Sequence, residues 1–302
     1  MNKTVLLIDH DSVKHNLALM KLSAYYKKIK WNVLFNMPLF PADRVYISKL
    51  FTFSPPVTYP GKCEVGGPGA DLKSKLPDGV DSMMPDYGLY DLDYSLGYTS
   101  RGCPNSCGFC IVPRSEGEPR AVGDIYTFWN RRHKEIVILD SNILFDRIHF
   151  FKIASQIKRE GLTVRFEQGL DVRRIDKQVS LVLGALRFGK YSISWDSVTV
   201  ESVFMERARL FSKYVSPQRI GVHILVGFDT PIEYDYYRII EVRKLGLTPF
   251  VMVYDKRRDD SLLTLLSYWT NGHCYTHLSF RSFLRRQGCL HTLDSSPLSG
   301  LC

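Results

Sequence analysis

Apolar residues along the chain fall into short continuous blocks, separated by stretches in which they recur every three to four positions. The first block, 4–9, is β-branched and aliphatic, the pattern of a buried strand. Residues 16–28 carry Leu17, Met20, Leu22, Ala24 and Tyr25 on a helical repeat, with Asp11 or Ser12 as the expected helix cap. Two more strand blocks follow, 31–35 and 44–51, and then a glycine-rich turn at 64–70. Strand, helix, strand, strand and turn predict a small Rossmann-like α/β domain over 1–75. Residues 76–95 are rich in Asp, Pro, Gly and Tyr without a period and are expected to form a linker.

From residue 96 the pattern becomes a repeated strand–helix alternation. Strands are predicted at 97–100, 135–140, 163–168, 191–195, 219–226 and 248–254. Helices are predicted between and after them, at 123–132, 146–160, 176–188, 200–214, 232–245 and 261–270. Six βα units in order imply a parallel sheet with helices outside it. Six units rather than eight predict a partial (βα)6 TIM-like barrel over 96–270. The fold class is therefore α/β, a partial barrel preceded by a small Rossmann-like domain. Ligand chemistry in such folds gathers at the C-terminal ends of the strands. The tail, 271–302, is expected to be partly disordered, above all 290–302.

Composition narrows the class. The chain has 302 residues, 45% of them hydrophobic and 24% charged, ordinary for a globular protein. No apolar run approaches the ~20 residues that span a bilayer, so no membrane is expected, and the N-terminus lacks the pattern of a secretion signal. A cytoplasmic location follows, where thiols stay reduced. The net charge of +9 admits a polyanionic partner such as RNA. The basic residues are dispersed, with local clusters at 131–134, 256–258 and 281–286.

Candidate chemistry centres on three of the seven cysteines, Cys103, Cys107 and Cys110, spaced C-x3-C-x2-C. Gly102 and Gly108 suit a tight wrap around a ligand. Three thiolates are one short of the usual four that hold an iron–sulfur cluster, and metal sites with an open position tend to be catalytic. Zinc is the alternative, but it favours two Cys pairs or a Cys pair with a His pair. Here Cys63, Cys274, Cys289 and Cys302 are scattered, and His273, Cys274 and His277 form the one other dense patch.

At Cys103, Cys107 and Cys110, with Phe109 just before the third cysteine, the chain resembles the radical S-adenosylmethionine (radical SAM) enzymes. The resemblance implies a [4Fe-4S] cluster on the three cysteines and S-adenosyl-L-methionine on the open iron. It further implies reductive cleavage to a 5′-deoxyadenosyl radical, Phe109 near the adenine, and a reducing partner such as flavodoxin or ferredoxin. The N-terminal domain resembles the cobalamin-binding-like domain found before the barrel in some of these enzymes. The cobalamin-ligating Asp-x-His-x-x-Gly motif is absent, since Asp9, His10 and His15 stand at the wrong offsets, and cobalamin is not expected.

The resemblance also directs attention to the strand ends. After the second barrel strand, Asp140 and Asn142 look like the polar motif that meets the SAM amino group; a helix cap is the plainer role for Asp140. After the third, Gln168 and Arg173 are candidates for SAM or substrate, or an ordinary exposed loop. Asp196 is placed for the SAM ribose and Gly227 for close approach to adenine, with Trp195 as a shield or simply core. Val251 to Val253 are more in keeping with sheet core than with an adenine contact. The substrate, RNA or peptide, is left open. A zinc- or cluster-bearing nucleic-acid-binding protein without catalysis is the rival.

Overall fold

The computed structural model describes residues 3–289. They form a mixed α/β structure with parallel sheets, whose contacts divide into two compact units. Of the described residues, the first comprises those up to 143 with 155–167, and the second 144–154 with those from 168 on.

The first unit begins with a four-stranded parallel sheet in the order β2-β1-β3-β4: β1 (Thr4–Asp9), β2 (Asn32–Phe35), β3 (Arg44–Ser48) and β4 (Glu64–Gly66). Both faces of β1 are buried, which is why its sequence is continuously apolar. Val5 and Leu7 pack with Leu19, Leu22 and Tyr26 of α1 (Leu17–Lys28). Leu6 packs on the opposite face with Val45 and Ile47, under Ala42, Val57 and Tyr59. Each such buried aliphatic side chain contributes about 1.5–3 kcal/mol relative to exposure.

The cap of α1 is Asn16, whose side chain accepts from Leu19 N at 3.2 Å, not Asp11 or Ser12. Asp11 instead accepts from Leu50 N and Phe51 N, at 2.6 and 2.9 Å, and so ties the loop after β1 to the loop after β3. Part of the predicted glycine-rich turn is the edge strand β4. Gly67, at φ +97°, packs where a Cβ would lie 2.5 Å from the Lys49 carbonyl oxygen. His10 and His15 hold protein groups: His10 Nε2 lies 2.9 Å from Pro55 O, and His15 Nδ1 2.9 Å from Tyr94 Oη.

Residues 76–95 are a packed connector rather than an open linker. Val80 joins the core under α1, and Tyr87 packs with Met20, Leu96 and Val137. Prolines and glycines there turn the chain while the apolar residues between them anchor it. A second parallel sheet in this unit runs β5 (Ser95–Gly97), β8 (Glu135–Ile138), β9 (Thr163–Phe166). Between β5 and β8 lie a short antiparallel pair, β6 (Ser100–Arg101) with β7 (Arg120–Ala121), and a one-turn helix, α2 (Val112–Ser115). The helix expected at 123–132 is only a 3-10 turn, Ile125–Thr127. Its aromatic and β-branched residues are weak helix formers, and Asn130 N donates to the Ser95 hydroxyl at 2.9 Å rather than to a helical carbonyl. Helix α3 (Arg147–Arg159) begins among residues of the second unit and ends in the first.

The second unit holds α4 (Lys177–Ala185), β10 (Arg187–Phe188), and the parallel sheet β11 (Tyr191–Ser194), β12 (Ile220–Val226), β13 (Thr248–Val253). Helices α5 (Glu201–Phe211), α6 (Ile232–Lys244) and α7 (Ser261–Asn271) alternate with the strands. Trp195 is fully buried and stacks on Phe204, with ring centroids 4.6 Å apart; Val251 is core, while Met252 is exposed. The tail is ordered as far as described: α8 (Phe280–Arg286) buries Phe280, Phe283 and Leu284 on the i, i+3, i+4 repeat, and Phe280 meets Trp269 of α7. The disorder expected for 290–302 lies outside the described residues. No helix among the described residues is long and apolar enough to cross a membrane.

Burial, partly offset by Glu167, holds the His15 imidazole below the ordinary histidine value. Burial and the charge of Lys190 do the same for His223. The unfolded chain therefore binds these protons first, at about pH 6.5, and their contribution to stability is present above that value and lost as pH falls through it. Urea midpoints measured from pH 7 down to pH 5 test this. The wild-type midpoint acquires a downward component that His223→Gln reduces; equal pH slopes in the two proteins contradict it.

Candidate functional site

The cysteine run lies on the loop after β6. Its base is closed by the β6–β7 pair, Ser100 opposite Ala121 and Arg101 opposite Arg120. One carboxylate closes it a second time. Glu116 Oε2 accepts from Gly102 N at 2.7 Å and from Ser141 Oγ at 2.9 Å, while Oε1 accepts from Arg101 Nη1 at 2.9 Å. The Arg101 guanidinium in turn lies over the Tyr98 ring, 3.5 Å from its centroid. Gly102 sits at φ +81°, where a Cβ would be 2.5 Å from Glu118 O, so the loop needs glycine at its first corner. The far end of the run turns tightly, with Cys110 N donating to Cys107 O at 3.0 Å.

Cys103, Cys107 and Cys110 are each half-buried. The Cys103 sulfur accepts from two side-chain amides, Asn105 Nδ2 and Asn142 Nδ2, each at 3.5 Å. A single zinc ion at about 2.3 Å per sulfur would draw its ligands to within about 4 Å of one another. Among the described residues, no three His, Cys, Asp or Glu side chains form such a group. Cysteine thiols are the donor type that both zinc and iron–sulfur clusters take. Phe109 is half-buried beside the third cysteine.

Asp140 is bound to the segment that enters the loop. Its side chain is buried, with Oδ1 accepting from Thr99 N at 2.7 Å and Oδ2 from Thr99 Oγ1 and Ser100 Oγ at 2.6 and 2.7 Å. Burial raises its pKa and these donors oppose the rise. Asp140 thus clasps the chain just ahead of the cysteine loop, and Ser141 and Asn142 after it reach Glu116 and Cys103. Two short segments converge here, Thr99 with Ser100 and Asp140 with Ser141 and Asn142.

In the second unit the strand-end residues form their own group. Arg173 grips its neighbour Asp171 with Nε at 2.7 Å and Nη2 at 3.2 Å. Asp196 Oδ1 accepts from Leu225 N at 3.0 Å; burial raises its pKa, opposed by that bond and by the charges of Arg238 and Arg173. Gly227 N donates to Asp235 Oδ2 at 3.0 Å. Gln168 is exposed. Cys274 and Cys289 keep local contacts, to Gly272 O and Gln287 O at 3.9 and 3.4 Å.

Sequence reasoning missed the residues that organise both groups. Glu116, Asn105 and Ser141 carry no local signal of their role. Arg238 of α6 did carry one. It is fully buried, paired with buried Asp235 at 2.5 Å, and it donates to Trp195 O at the end of β11 and to Leu225 O at 2.7 Å in β12. Asp235, Arg238, Ile239 and Val242 fall on one i, i+3, i+4, i+7 stripe. A charged pair inside an apolar stripe announces a buried ion pair, and losing one partner of such a pair costs about 3–5 kcal/mol.

Glu116→Ala leaves the Gly102 N–H without its acceptor, which costs about 1–3 kcal/mol for a buried donor. Urea denaturation of the apo protein is expected to show a loss in that range, with the 102–116 segment cut faster by protease. Unchanged stability and unchanged cleavage contradict the clasp. No protein-family model matches the chain, and no curated protein sequence matches it.

Proposed function

We propose that the chain is a radical SAM enzyme that holds a [4Fe-4S] cluster on Cys103, Cys107 and Cys110. The observation that carries this reading is the C-x3-C-x2-C run, on a loop that follows β5 of a parallel α/β sheet and is shaped by Glu116 and Asp140. The strand–helix alternation from β5 to β13 supports the partial (βα)6 TIM-like barrel as its architecture. Bound, the cluster would supply the electron that cleaves S-adenosyl-L-methionine to a 5′-deoxyadenosyl radical.

The protein's own part is to hold and screen. Glu116 and the β6–β7 pair fix the first corner of the loop; Asp140 fixes the two residues ahead of it. Asn105 and Asn142 donate to the Cys103 sulfur and fix its position. With Asp140 occupied by three donors, it serves as a positioning residue, and Asn142 and Phe109 are the side chains of that unit assigned toward SAM. In the second unit Arg173 suits a carboxylate through its planar fork, Asp196 suits ribose hydroxyls, Gln168 lies on the loop that carries Arg173, and Gly227 follows β12. The cluster chemistry implies a reducing compartment, the cytoplasm, and an electron donor of the flavodoxin or ferredoxin kind. The net charge of +9 favours RNA over peptide as substrate.

Anaerobic reconstitution with iron and sulfide tests the reading. The expected product is brown and yields 5′-deoxyadenosine from SAM under dithionite, while Cys107→Ala loses both colour and cleavage. A colourless protein with one bound zinc favours the non-catalytic nucleic-acid-binding alternative, and cleavage that persists in Cys107→Ala overturns the ligand set.

A further inference from the structure

A second concentration of binding groups lies wholly within the second unit. A cleft of about 300 Å³ opens between the start of α3, the 172–174 turn, the start of α4 and the outer face of α5. Arg147, Arg173, Arg174 and Arg207 line it, with Asp176 the one carboxylate in its wall and Leu144, Phe150 and Val179 its apolar side. Four guanidiniums from three segments thus converge on one small volume. Guanidiniums so placed repel one another, and the structure steadies each from the side. Arg147 pairs with Asp176, Arg173 grips Asp171, and Arg174 donates to Phe145 O at 3.0 Å with Asp171 at 3.7 Å. Arg207 has the weakest support: its Nε is buried without a hydrogen-bond partner among the described residues, and the nearest acid, Glu206, stands 3.6 Å away.

We propose that this cleft binds the phosphate group of a phosphate ester. A planar guanidinium fork matches phosphate oxygens in pairs, and a tetrahedral dianion can accept from several forks that approach from different sides. A flat carboxylate offers fewer directions. The volume, at the low end for a small-molecule site, exceeds one phosphate, and the Leu144, Phe150 and Val179 wall suits the sugar or carbon skeleton the phosphate carries. The N-terminal amides of α4 are not required, since Asp176 already caps them through Val179 N at 2.9 Å. The positive balance of the whole chain favours the same ligand class. Arg173 is also assigned toward SAM or substrate, so the test uses Arg147 and Arg207, and the cleft would bind phosphate in a protein that bound no iron. The phosphate belongs either to a free ester or to a polynucleotide backbone, and the test separates the two.

The experiment is calorimetric titration of the full chain, at fixed ionic strength in chloride, with inorganic phosphate, adenosine 5′-monophosphate and a ten-nucleotide RNA. Arg207→Gln and Arg147→Gln, on different helices, remove one guanidinium each; Arg132→Gln, outside the cleft, is the control. Circular dichroism and melting confirm that each variant is folded, and Arg207→Lys keeps the charge without the fork. Binding of phosphate or the mononucleotide that weakens roughly tenfold in both cleft variants but not in the control supports a free-ester site. Binding of RNA alone, weakened by the same two variants, assigns the site to backbone phosphate. In either case Arg207→Lys falls between wild type and Arg207→Gln. Failure of all three probes to bind, or binding that the cleft variants leave as strong as the control does, overturns the proposal.

Discussion

A carboxylate taken out of water must be surrounded by donors, and both units are organised around that constraint. In the first, Asp140 is ringed by Thr99 N, Thr99 Oγ1 and Ser100 Oγ, so the end of β8 is bound to the segment entering the cysteine loop. In the second, Asp235 accepts from Gly227 N, Thr230 Oγ1 and Arg238, and Arg238 carries the connection on to Trp195 and Leu225. Parallel sheets leave their functional groups on loops at strand ends, where backbone is least constrained. A buried acid with several donors removes that freedom at a few chosen points. Glu116 extends the same device to the loop itself, half-buried rather than fully enclosed, and meets a glycine amide, a serine and an arginine at once.

Placement of the loop thus depends on polar groups, while the sheets beneath depend on apolar ones. Val5, Leu6 and Leu7 show how the two divide the work: consecutive residues packed on opposite faces of β1 leave no polar surface in the strand, and specificity moves to its C-terminal loop, where Asp9, Asp11 and Asn36 tie turns together. Arginines follow the same logic in the second unit. Arg238 is buried and structural, whereas Arg147, Arg173, Arg174 and Arg207 stand at a cleft wall with their acids behind or beside them.

Where the apolar repeat alone decides an element, the sequence was a sound guide. Strands β8, β9, β11, β12 and β13 and helices α3 to α7 fall within a few residues of the blocks that predict them. It misled where composition stood in for pattern. The glycines and prolines of 76–95 concealed Val80 and Tyr87, which are core residues, and the tail's polarity concealed the Phe280, Phe283, Leu284 stripe of α8. At 123–132 the aromatic and β-branched residues fitted a helix by count but are weak helix formers, and the Asn130 amide is taken by the Ser95 hydroxyl. In the candidate site, the cysteines were legible because ligand spacing is local. Glu116, Asn105 and Asn142 act on Cys103 and Gly102 through contacts that only the folded loop creates, and Asp140 was visible as a strand-end acid but not as a clasp.

The claim on which the account rests is that carboxylates hold the cysteine loop before any cofactor arrives. Hydrogen exchange of the apo protein measures it directly, at the amides of Thr99 and Gly102 that Asp140 and Glu116 accept. The account predicts that both exchange far more slowly than the exposed amides of the loop, and that Glu116→Gln speeds exchange at Gly102 while leaving Thr99 protected. Exchange at both amides as fast as in an unstructured peptide would contradict it.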